Sequence, residues 1–167
     1  MLDALSKSFF HALARSKSLE RMASRIGMAR PTSFAEEAID AAKAIQARGM
    51  RLTLDQLGES VTTLAEAEAA TRVYIALVEK IEAAGIDRNI SVKPTQLGLD
   101  IDRAVCIDHI RRILDLARQH DFFVRIDMEN TPYLQKTLDM FTSVWSQGYR
   151  NAGVVLQSAV FRSEEDA

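Results

Sequence analysis

Cysteine is almost missing from this chain. Its 167 residues hold one, Cys106, which excludes an internal disulfide and fits a reducing compartment. Cys106 falls in a helical pattern and reads as a small buried residue rather than a reactive thiol. Neither paired cysteines nor a cluster of the three histidines offers zinc-ligand spacing. The net charge is only −2, so nothing electrostatic argues for nucleic acid or an anionic membrane. No apolar run approaches the roughly 18 residues of a membrane-spanning helix. The amphipathic start, M-L-D-A-L-S-K-S-F-F, has no secretory apolar core, and Asp3 and Glu20 argue against an organellar transit peptide. With three prolines and seven glycines, no low-complexity stretch or linker divides the chain.

What is present is enough for one packed domain: 47% of residues are hydrophobic and 26% charged. Residues 3–29 carry helical apolar spacing through Leu5, Phe9, Leu13, Leu19, Met22 and Ile26. Ser33 and Glu36 have capping-box spacing before a helix that runs to about Ala47 and stops at Gly49. Strand-like runs follow at 51–57, 89–93, 122–128 and 152–160. Between them lie helical patterns over 64–84, 102–120 and from Thr131-Pro132 to near Gly148, with Thr131 read as the cap and Pro132 as the first helical residue. The expected organisation is leading helices over 1–50, then four β/α units over 51–167. Strands separated by single helices are normally parallel, so the fold class is α/β.

Charge collects at the strand ends. Strand one ends at Asp55 and Glu59, strand two at Lys93 with Thr95 and Gln96, strand three at Asp127 and Glu129, and strand four at Gln157 and then Arg162. Ligands of parallel α/β folds bind beyond the carboxyl ends of the strands. Any single one of these residues could be a structural ion-pair member, but unpaired buried charge is costly and one rim gathers them all. Period-two alternation sharpens the picture. Ser91 and Lys93 share one face, as do Arg125, Asp127 and Glu129, while Ile90, Val92, Val124, Ile126 and Met128 take the other. An apolar face toward helices and a polar face toward an interior suit a barrel better than a doubly wound sheet. L-G-E-S-V after strand one also lacks G-x-G-x-x-G, which excludes a Rossmann dinucleotide site.

Four motifs in order, L-T-L-D-Q-L-G-E at 52–59, I-S-V-K-P-T-Q-L-G-L at 90–99, V-R-I-D-M-E at 124–129 and G-V-V-L-Q-S at 153–158, resemble the bacterial monofunctional proline dehydrogenases. The resemblance implies a (β/α)8 barrel that oxidises L-proline to Δ1-pyrroline-5-carboxylate with FAD and passes electrons to a quinone. It implies a cytoplasmic protein with peripheral contact at the inner face of the membrane. By resemblance, Lys93 helps hold the substrate carboxylate. Asp127 is the catalytic-site aspartate that fixes neighbouring cationic groups, and Gln157 contacts the flavin ring.

Two departures stand out. After Gln157 the family usually continues with a tyrosine-bearing stretch ending in Y-R-T; here it is S-A-V-F-R-S, with Ala159 small and Phe161 lacking the hydroxyl. The chain also ends at S-E-E-D-A after strand four, whereas a (β/α)8 barrel takes about 250 residues. The resemblance places a flavin-adjacent arginine on strand five and a carboxylate-clamping arginine pair on the last helix, both past Ala167. The expectation is therefore the N-terminal half of a barrel, which binds flavin poorly and does not oxidise proline alone. Strands one and four would be open edges, prone to aggregation or pairing. Two other functions fit parts of the pattern: a self-associating, non-catalytic half-barrel closed by two copies without flavin, and another (β/α)8 enzyme using Lys93 as a Schiff-base lysine. The latter leaves Gln157 unexplained.

Overall fold

The computed structural model describes residues 34–58 and 60–167. The expected helix over 3–29, the Ser33 cap and Glu59 lie outside those residues. Helix α1 (Phe34–Gln46) comes first, and residues from Ala42 onward form one compact unit. Within it come β1 (Leu54–Asp55), α2 (Leu64–Ala84), β2 (Asn89–Val92), α3 (Arg103–Gln119), β3 (Phe123–Ile126), α4 (Leu134–Ser146), β4 (Ala152–Val154) and a short α5 (Ser163–Asp166).

The four strands form one parallel sheet in the order β1-β2-β3-β4. Sequential order is barrel-like; a doubly wound sheet reverses at a switch point. Helices α2 and α3 pack on each other, as do α3 and α4, so the three crossovers share one face of the sheet. That face is the core. Ile90, Val92, Val124 and Ile126 point into it and meet Val78, Ile81, Ile110, Ile113, Leu114 and Met140, all fully buried. Each such side chain contributes roughly 1.5–3 kcal/mol by leaving water. Cys106 is buried there as read from sequence, and burial, with the charge of Glu129 adding, pushes its thiol up to about 12.

Helix starts are set by side chains. Thr63 Oγ1 accepts from Glu66 N at 3.2 Å while Glu66 Oε2 accepts from Thr63 N at 3.0 Å, a capping box that opens α2. Asp102 Oδ1 accepts from Ala104 N and Val105 N at 2.8 and 3.2 Å and opens α3. The Thr131-Pro132 reading needs correction. Thr131–Tyr133 is a 3₁₀ turn with Asn130 as its N-cap residue, and the α-helix starts at Leu134.

All four strands are shorter than the sequence suggested, the first and last by the most. Residues 51–53 reach β2's lead-in through side chains instead of a backbone ladder: Arg51 Nε and Leu52 N both donate to Asp87 Oδ2, and Thr53 Oγ1 donates to Asn89 Oδ1. At the other end, Val155 N still donates to Ile126 O, but the chain then folds back on itself. Gln157 O accepts from Val160 N and Ser163 Oγ, which removes residues 157–160 from the sheet. Nothing in L-Q-S-A-V marks that turn, since no glycine or proline interrupts it.

After β2 the chain takes a 3₁₀ turn, Pro94–Leu97, closed by Gly98. Gly98 has φ +99°, and a Cβ placed there would lie 3.2 Å from Ala67 Cβ on α2. Gly98→Ala therefore meets both strain and crowding and should cost on the order of 2 kcal/mol. A lowered denaturation midpoint at unchanged m-value would check it; an unshifted midpoint would show that the turn relaxes freely.

Candidate active site

Parallel register aligns the strand ends. Asp55 pairs with Ser91 and Ile126 with Val92, so Lys93 and Asp127 emerge side by side with Asp55 just below. Lys93 Nζ forms an ion pair with Asp55 Oδ2 and lies 3.7 Å from Asp127 Oδ2. All three side chains are mostly screened from water, at 22, 32 and 26% exposure for Lys93, Asp55 and Asp127. Partial burial works to lower the Lys93 pKa, but the Asp55 hydrogen bond and the charges of Asp55, Asp127 and Glu129 outweigh it and raise the net value. Asp127 is also raised, by burial first and by the negative charge of Asp55, against the pull of Lys93.

Further hydrogen bonds brace the rim. Glu129 accepts from Thr95 N at 2.9 Å and Thr95 Oγ1 at 2.5 Å, and Thr95 Oγ1 also accepts from Ser60 N at 3.1 Å. Behind it, Tyr74 of α2 places its hydroxyl 2.7 Å from Gln96 Oε1 and 3.2 Å from Asp55 Oδ1. In front lies an open cleft of about 290 Å³, walled by Lys93, Asp127, Glu129, Tyr133 and Val155. Among the described residues no cluster of His, Cys, Asp and Glu could hold a metal ion.

The structure thus brings Lys93 and Asp127 together. Gln157 is exposed at the neighbouring strand end, where its Nε2 donates to Met128 O at 2.7 Å and ties β4 to β3. Arg162, counted with the rim from sequence, is not there. The fold-back after Gln157 turns it to Asp166 of α5 and Gln135 of α4, at 2.6 and 2.9 Å. Phe161 is fully exposed in the same turn. Tyr74 is the site residue that sequence reasoning missed. At an apolar helix position it reads as core, and only its polar tip hinted otherwise.

The family model for proline dehydrogenase matches residues 38–166. The chain belongs to the proline dehydrogenase family. Proline dehydrogenase 2 of Bacillus subtilis strain 168 is 31% identical over 168 residues, covering 97% of this chain and 55% of the relative. Proline dehydrogenase of Deinococcus radiodurans is 33% identical over 135 residues, 78% of this chain and 44% of the relative. The chain therefore spans about half the length of the curated relatives it matches. Among solved structures, proline utilization A from Bdellovibrio bacteriovorus, inactivated by N-propargylglycine, superposes with a TM-score of 0.71 at 27% identity, over 79% of this chain and 17% of that one. Such proline dehydrogenase domains are (β/α)8 barrels, and the four units seen here have the order and crossovers of a barrel's first half.

Within the family setting the Lys93 environment is informative. A Schiff-base lysine needs a lowered pKa to supply free amine; the carboxylates around Lys93 hold it as an ammonium. A group raised in the folded state contributes stability that is fully present below its unfolded value, roughly 10.4 for lysine, and that fades as pH rises through the raised value. The thermal-stability advantage of the unmutated chain over Lys93→Met should therefore shrink on alkaline titration through that window. An advantage independent of pH would contradict the charge origin of the pairing.

Proposed function

We propose that this chain carries the substrate-binding rim of an FAD-dependent proline dehydrogenase that oxidises L-proline to Δ1-pyrroline-5-carboxylate. The observation that carries the reading is the Lys93 ammonium, held by Asp55 and Asp127 at the wall of an open cleft. An ammonium has three N–H donors. Its two carboxylate partners engage at most two, which leaves one for an anionic ligand. Proline presents a carboxylate to that donor and a secondary ammonium to the acidic rim of Asp127 and Glu129. The Bdellovibrio relative was solved inactivated by N-propargylglycine, itself a carboxylate beside a secondary amine.

The residues present fit a flavin in part. Gln157 uses its amide N–H on Met128 O, and no described residue donates to its Oε1, so the carbonyl end is open to a polar ring edge. Gln157 would hold the polar edge of FAD, because an amide can donate or accept. FAD, when bound, supplies the two-electron oxidant for the carbon–nitrogen bond of proline. The chain's own part is position and charge. Lys93 anchors the carboxylate, and Asp127 keeps Lys93 in place. Glu129, fixed by Thr95, sets the second acidic wall.

Electron transfer to a quinone and peripheral membrane contact belong to the same reading and rest on the family resemblance. No described helix is long and apolar enough to cross a membrane. In the full-length holoenzyme, Lys93→Ala should raise the Michaelis constant for L-proline about tenfold or more with the flavin spectrum retained. An unchanged Michaelis constant would sink the carboxylate-anchoring role.

A further inference from the structure

Asp55 is the least supported member of the rim. It sits on a two-residue strand, at the edge of the described sheet, paired on one side only. Its carboxylate nevertheless meets Lys93 in a defined geometry, so something other than the strand must hold it. Tyr74 is placed to do so. It lies on the 21-residue helix α2 and is fully buried, and its hydroxyl reaches through the core to the back of the rim. That hydroxyl has one proton and two acceptors in range, Asp55 Oδ1 at 3.2 Å and Gln96 Oε1 at 2.7 Å. Both cannot be satisfied by the same proton.

Chemistry decides between them. A carboxylate is the stronger acceptor. Gln96 has a second option, because its amide can turn and donate N–H to the phenol oxygen. Gly58 leaves room for that amide: a Cβ there would stand 2.5 Å from Gln96 Nε2. Burial first, and Asp55 next, push the Tyr74 phenol far above its usual range, so the proton stays on Tyr74 as a donor.

We propose that Tyr74 is a positioning residue: its hydroxyl proton fixes the Asp55 carboxylate, and Asp55 in turn fixes the Lys93 ammonium at the cleft. The functional consequence rests on the proline-binding role given above to Lys93. The chain of contacts does not, and the test separates the two.

The side-chain titration of Lys93, followed by NMR in the intact protein with labelled lysine, reads the contacts directly. Tyr74→Phe and Asp55→Asn should each lower the Lys93 midpoint toward the ordinary lysine value. The double variant should lie no lower than Asp55→Asn alone, since both act through one carboxylate. A Tyr74→Phe midpoint equal to the unmutated one, or an effect that adds fully to that of Asp55→Asn, overturns the proposal. Should Tyr74→Phe fail to fold, 4-fluorophenylalanine at position 74 keeps nearly the shape of tyrosine and removes the proton; an unmoved Lys93 midpoint would then be equally fatal. In the holoenzyme, Tyr74→Phe should raise the Michaelis constant for L-proline about fivefold while leaving kcat within about twofold. A moved Lys93 midpoint with an unmoved Michaelis constant keeps Tyr74 in its positioning role and removes proline from Lys93.

Discussion

Lys93 stands where a buried strand runs out into a cleft, and its charge is tolerable there because two carboxylates from the flanking strands meet it. Taking an ammonium partly out of water costs several kcal/mol unless the geometry of its partners is good. The parallel register supplies that geometry. It sets Asp127 level with Lys93 and Asp55 two residues beneath, level with Ser91. A one-residue slip of β3 would turn Asp127 into the helix-packed core and bring Ile126 or Met128 to the rim. The same alternation that seals the core thus assembles the site, and stability and chemistry share one constraint.

The helix layer contributes more than a cover. Helix α2 buries Val78 and Ile81 against the sheet, and the same helix sends the Tyr74 hydroxyl beneath Asp55. The 3₁₀ turn after Lys93 likewise has two tasks. Thr95 bonds Glu129 from its backbone and side chain, while Gln96 meets Tyr74. Polar groups from three strand ends, one helix and one turn therefore satisfy one another around a single cation. On the function proposed above, an oxidation whose hard chemistry belongs to a cofactor would ask little else of the protein at this point than a fixed charge and a shaped wall.

Open surface marks where the rim is not self-contained. Leu57, just past the end of β1, is exposed at 89%. The cleft has carboxylates on one side and only Val155 toward β4. The fold-back after Gln157 removes Arg162 from the rim and leaves Lys93 as the cation that faces the cleft among its lining residues.

Much of this was legible in the residues alone. Alternation in V-R-I-D-M-E placed Asp127 and Glu129 on one face and the apolar residues on the other, because side chains in a strand have a period of two whatever surrounds them. Helices α2 and α3 began and ended as read, because caps are local. Strand ends were less legible. The first strand lost residues to side-chain bonds with distant partners, Asp87 and Asn89, and the last to a local reversal at Gln157 that no glycine or proline marks. Tyr74 could not be found from sequence, since a tyrosine on an apolar helix face looks the same whether its hydroxyl meets water or a carboxylate 19 residues away. Short-range periodicity sorts buried residues from exposed ones and shows which strands carry charge. Which charges meet follows instead from the register between strands and the depth to which a helix side chain reaches, and neither is a local property of the chain.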